Sequence, residues 1–460
     1  MAGTIVALAH AILAAPPPSP IAIRQAKLLL LDTIGCGFLG AREHLARAVF
    51  DACGAGTGGC AIVGRAARRG LLDAVLANGV FIRIFDLNDY LVNMSKGEPE
   101  TGGHPSDNIP VALAVGESCA RSGAEILSAI VTGYELYARL QLMMDRGGPW
   151  DGVTVSGLVA PTIAGRLMRL DEIRLAHALA LGLARAATPS IVRRGRISAA
   201  KSIANALIAQ SGVQAALLAE RGVTGPLAIL DDRYGLRDVF ANAGISRVAA
   251  PIPPDGAILR AHVKDFPCIN TGQSAVATAL ALHKMLQNGP DALDEIELNM
   301  MDYPVIARQQ TDDARNRPQT REAADHSFPF IVAVSVIDGA FGLAQYENER
   351  WHDPRVVALM EKIRMRRDHR AYPRASNPFP CAIRAWDSNR KEYVVDPVDP
   401  PGASQEGLDE AAVIMKFHAN TESFIPRAAR DRIVDAAMEF DQSPSSETLS
   451  AAIAIEETIT

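Results

Sequence analysis

The sequence predicts a mainly α-helical protein with a large all-helical domain and a smaller α+β domain. Apolar residues recur at helical spacing from Ile21 to about Thr224, a proline-rich break follows at 250–254, and short alternating segments typical of strands come after that break. We therefore place the helical domain at residues 1–255 and the α+β domain at 256–404, with helices again over about 405–460.

The helices of the first domain are predicted where apolar residues stand three and four apart. They are Ile5–Ala15, Ile23–Leu39, Leu71–Phe85, Ala124–Met143, Gly157–Leu170, Ala176–Ala186 and Ala199–Arg221. Pro16 ends the first of them, and Gly222 is expected to end the last with a left-handed cap.

The second domain contains segments with helical spacing of apolar residues and segments with the alternation typical of strands. Its predicted elements are a helix at Gln273–Leu286, a strand at Glu295–Met300, a helix at Phe330–Phe341 and strands at Ile363–Met365, Cys381–Trp386 and Glu392–Val395. A polar stretch that begins at Asp387 separates the last two strands and indicates a hairpin. The closing helices are predicted at Leu408–His418 and Pro426–Phe440.

Composition excludes several classes of protein. The 460 residues are 48% hydrophobic with a formal charge of −6, which is typical of a globular chain and argues against a nucleic-acid partner. The six cysteines form no CxxC pair, so a zinc or iron–sulfur site is not expected, and scattered thiols favour the cytoplasm. No stretch reaches the roughly 20 apolar residues of a membrane span.

Two short motifs are rejected on their context. Gly54–Gly59 matches GxGxxG but follows a helical segment and precedes a strand-like one, the reverse of a dinucleotide site. Asp86-Leu-Asn-Asp89 resembles the start of a calcium loop, yet Leu91 stands where glycine must turn the chain.

Asp86 and Asp89 stand three residues apart at the end of an apolar helix. Residues at this spacing share a helix face, and two close carboxylates raise each other's pKa, which suits acid–base chemistry. A solvated helix end is the alternative that spacing leaves open.

His104 precedes a helix that we place from about Ser106 or Asp107, with Pro110 in its first turn. A helix N-terminus disfavours imidazolium, so a histidine there stays neutral and can accept a proton, as a general base must. A histidine in a surface loop is the alternative.

Lys201 lies in the first turn of a helix that Ser198 is expected to cap, where a cation is disfavoured unless an anion is near. It follows the basic stretch Arg193-Arg-Gly-Arg196. A pocket for a substrate carboxylate would explain this arrangement, and a solvated run of charge is the alternative. Lys264 is an isolated lysine at the start of the second domain, so a cleft between the domains would gather these groups.

A series of motifs resembles the MmgE/PrpD family over nearly the whole chain. The motifs are Leu30-Leu-Asp-Thr-Ile-Gly-Cys36, Ala77-Asn-Gly79, Asp86-Leu-Asn-Asp89, His104-Pro-Ser-Asp107, Gly133-Tyr-Glu135, Lys201 with the helix that ends Gly222-Val-Thr-Gly-Pro226, Lys264-Asp-Phe-Pro267 and Thr320-Arg-Glu-Ala-Ala-Asp-His-Ser327. The resemblance implies C-terminal helices that return to the first domain, usually a homodimer, and chemistry on small di- and tricarboxylates without an iron–sulfur cluster. It therefore implies no cofactor and no metal.

The resemblance also implies a set of site residues. It places catalytic residues at Asp86, His104, Lys201 and Lys264, and candidate substrate-binding residues are Tyr90, Asp89, Arg193, Arg196, Ser106 and Asp107. Gly152 stands where many members carry a second active-site histidine, and Thr271 where dehydratase-like members often have one. These departures weaken the inference to the family's best-known substrates.

We therefore predict a cofactor-independent lyase that removes a proton α to a carboxylate and eliminates a β leaving group, most simply water. The carbanion requires cationic charge at the developing enediolate and a base aimed at the C–H bond. In this hypothesis His104 is the base and Lys201 and Lys264 supply the charge. Asp86 orients the base or donates the proton to the departing hydroxyl, with Tyr90 or a water as the other donors.

Three alternatives remain open at the level of sequence. An epimerase or isomerase of a small dicarboxylate needs the same proton abstraction, and a decarboxylase would release carbon dioxide. A catalytically inactive carboxylate-binding protein is the non-enzymatic alternative.

Overall fold

A computed structural model describes residues 3–54, 58–95, 98–144, 148–238, 240, 245–367, 376–401 and 407–455. The chain is mainly α-helical, which confirms the predicted fold class. The helices are α1 (Thr4–Leu13), α2 (Pro20–Gly40), α3 (His44–Ala52), α4 (Leu71–Arg83), α5 (Ile109–Ser118), α6 (Gly123–Met143), α7 (Ser156–Met168), α8 (Glu172–Leu183), α9 (Ala200–Glu220), α10 (Gln273–Met285), α11 (Pro304–Thr311), α12 (Asp313–Asn316), α13 (Arg321–Ala324), α14 (Phe328–Asp338), α15 (Pro354–Met360), α16 (Glu410–Thr421), α17 (Arg427–Met438) and α18 (Glu447–Ile453). The strands are β1 (Cys60–Ile62), β2 (Arg65–Arg69), β3 (Tyr90–Ser95), β4 (Glu98–Gly103), β5 (Ala261–His262), β6 (Leu293–Met300), β7 (Ile363–Arg367), β8 (Cys381–Asp387) and β9 (Glu392–Val395).

Side chains of the first half build one hydrophobic core together with the C-terminal helices. This core contains Leu28 and Phe38 of α2 and also Phe417 of α16 and Ile433 of α17. Helix α16 packs on α2, so the end of the chain returns to its beginning.

A second hydrophobic core is formed by residues between Cys268 and Val395. Strands β7, β6, β8 and β9 form a sheet in that order, with β6 parallel to β7 and the other pairs antiparallel. Helix α10 packs on this sheet and α14 packs on α10. Helix α14 is apolar on every side and buried, because it lies inside this core. Residues of the first core continue past the predicted boundary at residues 255 and 256, to Val263, and residues of the second core begin at Cys268.

The longer predicted helices are confirmed, and their ends show how each one begins. Ser122 and Glu125 form a reciprocal capping box at the start of α6, and Asp171 caps α8. Gly222 has a φ of 87°, the left-handed conformation expected after α9. Ser198 does not cap α9 with its side chain; its backbone carbonyl accepts a hydrogen bond from the Lys201 N–H.

Helical spacing did not predict two small sheets beside the helices of the first half, although the strand-like segment noted after Gly54–Gly59 forms β1. Strands β1 and β2 form an antiparallel pair, and β3 lies between β4 and β5. The first half is therefore not all-helical. The pairing that joins β3 to β5 is long-range, and no local pattern specifies it. Part of the rejected glycine motif, residues 55–57, lies outside the described residues.

In the described part of the chain, α9 is long and apolar enough to cross a membrane, as are α14 and the following helical segment Leu343–His352 taken as one bent pair. Helix α9 packs against α4, α7 and α8 in the core. Its apolar character is accounted for by these contacts within the protein.

Candidate functional site

Asp86 is the centre of a buried group of charges. It follows α4 in the left-handed conformation, with a φ of 50°, a strained state that aspartate tolerates better than most residues. This turn brings Oδ1 to 2.7 Å from Nη1 of Arg83. Lys264 Nζ donates both to Oδ1, at 2.5 Å, and to the Asp86 backbone carbonyl, at 2.7 Å, and so holds the turn.

Two strand pairings bring distant residues to Asp86. Tyr90 on β3 pairs with His262 on β5, which places Lys264 beside the turn that precedes β3. Leu91 on β3 pairs with Gly103 on β4, so His104 follows directly beside the start of β3. An added Cβ at Gly103 would lie 2.2 Å from the hydroxyl of Tyr137, so a larger residue here would displace the Tyr137 side chain.

Lys201 bridges Asp86 to a second buried carboxylate from the other core. Its Nζ lies 3.1 Å from Asp86 Oδ2 and donates to both oxygens of Asp325, at 2.9 and 2.8 Å. The anion near the start of α9 is therefore Asp325, a side chain of the protein. Asp325 also makes a short hydrogen bond with Nδ1 of His326.

The ion pairs keep Asp86 ionised. Burial alone would raise the pKa of its carboxyl, but the cations of Arg83, Lys264 and Lys201 hold that pKa well below the usual range. Asp86 therefore suits charge stabilisation, and the geometry does not support it as a proton donor.

One ring nitrogen of His104 has no hydrogen-bond partner among the described residues. Its Nδ1 lies 2.6 Å from the backbone carbonyl of Asp89, which only accepts, so Nδ1 carries the proton in the neutral ring. Nε2 then holds the lone pair and lies 3.8 Å from Asp86 Oδ1. Burial, together with the nearby cations of Arg83 and Lys264, lowers the pKa of His104 well below its usual value. The histidine is neutral as predicted, but burial and these cations are the cause.

A cavity of about 170 Å³ opens beside this group, and residues of both cores line it. His104, Asp86 and Asp107 come from the first core's side, and Thr271 and His326 from the second. Among the described residues, the lining also includes four arginines, namely Arg193, Arg194, Arg308 and Arg315. This concentration of guanidinium groups favours an anionic ligand.

The structure divides the ten predicted site residues into three sets. His104, Asp86, Asp107 and Arg193 line the cavity. Lys201 and Lys264 lie behind Asp86, outside the lining, where their charge acts through the carboxylates. The remaining predicted residues also lie outside the lining, and they are Tyr90, Asp89, Ser106 and Arg196.

These four residues lie outside it for identifiable reasons. Tyr90 is buried, stacks on His262 and accepts a hydrogen bond from Asn377. Asp89 accepts hydrogen bonds from Ser106 Oγ at 2.5 Å and from Tyr134 at 2.8 Å. The side chains of Asp89 and Ser106 are therefore hydrogen-bonded to each other. Arg196 is exposed.

Asp86 and Asp89 do not act as a pair of coupled carboxylates. Burial, with smaller contributions from the carboxylates of Asp107 and Asp32, raises the pKa of Asp89 to about 7. Helix α4 ends at Arg83, so both aspartates lie beyond its end, and their carboxylates have different hydrogen-bond partners. The predicted shared helix face is therefore wrong.

Both positions that depart from the family's pattern border the cavity. Gly152 and Thr271 are part of its lining. An added Cβ at Gly152 would lie 3.2 Å from Nε2 of Gln141, so the amide of Gln141 occupies the space beside this glycine.

Sequence reasoning missed several residues of the site. Arg83 had a signal, because it is a charged residue within the apolar stretch of α4. Asp325 and His326 stood in a quoted motif without a role. Arg308 and Arg315 carried no signal, since only tertiary packing brings α11 and α12 to the cavity.

Asp86, Asp325 and His326 offer oxygen and nitrogen atoms that lie within 4.8 Å of one another. The ammonium group of Lys201 already contacts all three residues, and Lys264 and Arg83 neutralise Asp86. These cations would repel a metal ion, so the donor set fits an ion-pair network better than a metal centre.

A histidine with a lowered pKa, an aspartate that its cationic neighbours keep ionised, and four arginines therefore line one cavity, an arrangement that suits acid–base chemistry on an anionic ligand. Comparison with known proteins gives the family. The MmgE/PrpD N-terminal domain matches residues 6–247 and the MmgE/PrpD C-terminal domain matches residues 266–440. The chain belongs to the MmgE/PrpD family, which confirms the resemblance seen in the sequence.

Curated relatives cover most of the chain at low identity. A 2-methylcitrate dehydratase of Salmonella typhimurium is 25% identical, with 94% of this chain and 93% of the relative aligned. A 2-methylcitrate dehydratase of Escherichia coli is 24% identical over the same shares. A cis-aconitate decarboxylase of Mus musculus is 26% identical over 75% of this chain and 71% of its own length.

Proposed function

We propose that this protein is a cofactor-independent lyase that eliminates water from a small di- or tricarboxylate. The observation that carries the proposal is that His104 lines a cavity together with arginines, while its Nε2 has no hydrogen-bond partner among the described residues. The names of the dehydratase relatives support the same reaction type.

Binding of the substrate would rest on the arginines of the cavity. Arg193 is already paired with Asp151 at 2.8 Å, whereas Nε of Arg194 is buried and without a hydrogen-bond partner among the described residues. Guanidinium groups bind carboxylates through paired N–H donors, so several arginines suit a substrate with more than one carboxylate.

The chemical step would begin at His104. Nε2 removes the proton α to a carboxylate, and the imidazolium that forms is stabilised by Asp86 Oδ1 at 3.8 Å. The arginines of the lining stabilise the enediolate, because Lys201 and Lys264 are engaged with buried carboxylates and do not face the cavity.

The departing hydroxyl requires a proton, and the donor in this proposal is Asp107. Asp107 lines the cavity, and burial raises the pKa of its carboxyl despite the nearby cations of Arg83 and Arg193. Asp86 does not fill this role, because its neighbours keep it ionised.

Proton NMR of the purified protein with 2-methylcitrate, citrate, malate and cis-aconitate in heavy water tests the proposal. Elimination is expected for a hydroxylated acid, with an unsaturated acid as product. Deuterium entering recovered substrate without an unsaturated product would indicate an epimerase or isomerase instead, and loss of carbon dioxide a decarboxylase. Thermal stabilisation by these acids without conversion would indicate a binding protein without activity.

The pH dependence of kcat/KM reports the base. Because the pKa of His104 is lowered, the ring stays unprotonated, and hence active, below the ordinary histidine range near 6.5. We expect kcat/KM to hold its value as the pH falls through 6.5 and to decline only well below it. An acid-side pKa at or above 6.5 would exclude His104 as a base in this environment.

Two arginines of one loop offer a matched pair for testing substrate binding. Arg194→Gln removes a cavity-lining charge and is expected to raise KM about 10-fold or more, since a hydrogen bond to a charged group contributes about 1.5–3 kcal/mol. Arg196→Gln changes an exposed side chain outside the cavity and should leave KM unaltered. Equal KM values for the two variants would contradict the binding role.

A further inference from the structure

Two uncharged side chains of the cavity wall carry buried oxygen atoms that the protein leaves unsatisfied. Gln141 Oε1 and Thr271 Oγ1 have no hydrogen-bond partner among the described residues, and each residue is 1% exposed. A buried polar atom without a partner costs about 1–3 kcal/mol. Since both residues line the cavity, a ligand is the natural source of the missing hydrogen bonds.

The orientation of the Gln141 amide is fixed by its other end. Nε2 donates to the backbone carbonyl of Gly152 at 2.9 Å, which leaves Oε1 as the atom without a partner. Gly152 makes this arrangement possible, because a side chain there would begin 3.2 Å from Nε2. The position of the Gln141 amide therefore depends on glycine at residue 152.

The chemistry of Oε1 restricts its partner. An amide oxygen only accepts hydrogen bonds, and an ionised carboxylate also only accepts. The carboxylates of the proposed substrate cannot satisfy Gln141, so the partner must carry a donor. The hydroxyl of Thr271 both donates and accepts, and it can donate to an oxygen of the same ligand.

We propose that Gln141 and Thr271 form a hydroxyl-binding subsite that selects hydroxy acids over the corresponding deoxy acids. The substrate O–H donates to Gln141 Oε1, and Thr271 Oγ1 donates to the hydroxyl oxygen. This inference rests on the proposed function, because the carboxylates that accompany the hydroxyl are bound by the arginines. It assigns specificity to Gln141 and to the position of Thr271, where the family pattern has histidine in dehydratase-like members.

The test compares acids that differ by one hydroxyl. Dissociation constants of the full-length chain for citrate against tricarballylate and for malate against succinate are measured by calorimetry, with KM replacing Kd for any acid that is turned over. We expect the hydroxylated acid of at least one pair to bind about tenfold or more tightly, because the deoxy acid leaves the buried oxygens unpaired.

Variants then assign the discrimination to the two residues. Thr271→Val and Gln141→Met should bring the ratio of the two constants towards one, whereas Thr271→Ser keeps the hydroxyl and should retain the ratio. The Val and Ser variants of Thr271 provide the test even if the Gln141 variant fails to fold.

The remaining outcomes separate the two proposals. Equal binding of hydroxylated and deoxy acids by the wild type would overturn the subsite while leaving carboxylate binding intact. A ratio unchanged in both Thr271→Val and folded Gln141→Met would overturn it as well. If neither pair binds at all, the carboxylate cavity of the proposed function fails, and the subsite fails with it.

Discussion

Replacement of His104 by glutamine is expected to lower kcat by about 10²–10⁴-fold, the usual contribution of a general base. Glutamine offers no basic nitrogen in place of Nε2, so the α-proton would have to leave without an acceptor in the protein. The side chain of His104 is 15% exposed and holds no ion pair shorter than 3.8 Å among the described residues, and the glutamine amide N–H can donate to the Asp89 carbonyl in place of Nδ1, so the melting temperature should change little. Steady-state kinetics on the acid identified by NMR, together with a melting curve, provide the measurement.

His283 supplies the control for this variant. Its Nδ1 also lies against a backbone carbonyl, that of Val336, at 2.7 Å, and the residue is half-buried at the end of α10, outside the cavity lining. His283→Gln therefore repeats the loss of a hydrogen-bonded imidazole without touching the site. Unchanged kcat in a folded His104→Gln protein would remove His104 as the base.

Asp86→Asn is expected to have the largest effect on stability. The substitution leaves Arg83, Lys201 and Lys264 buried around a neutral amide, and breaking a buried ion pair in this way costs about 3–5 kcal/mol. The free energy of unfolding from denaturant titration should fall by about this amount. Turnover should be lost as well, because the imidazolium of His104 would form beside uncompensated cations.

A second buried ion pair separates these two effects. Asp32 on α2 lies 2.5 Å from Lys416 on α16, and both side chains are buried and outside the cavity lining. Asp32→Asn should therefore destabilise the protein for the same electrostatic reason while kcat stays at the wild-type value. Wild-type stability of Asp86→Asn would show that the three cations do not depend on this carboxylate.

Local sequence predicted most helices, since their signals lie within a few neighbouring residues. The apolar period of α6 and the capping residues Ser122 and Glu125 fall within one segment, as does the glycine after α9. Strands β3 and β5 had no such signal, because their pairing joins segments that are remote in the chain. Their pairing also positions Lys264, so the missed sheet and the role of that lysine have the same cause.

The candidate residues were predicted better than their roles. Lys201 indeed lies in the first turn of α9 beside an anion, but the anion is Asp325, 124 residues away, and no substrate carboxylate is needed to explain it. Asp89 has its effect through the backbone carbonyl that orients His104, a role that no residue pattern reveals. Arg308 and Gln141 entered the site through packing alone.

The sequence by itself determined the helical architecture and the membership of the family and supplied the proposed base, because these depend on local periodicity and on short motifs. Only the tertiary structure decided which charges neutralise one another and which face the cavity. Burial strengthens each electrostatic interaction, and the burial of a residue depends on every segment that packs around it. The same lysine therefore binds a substrate or neutralises an aspartate according to its tertiary surroundings.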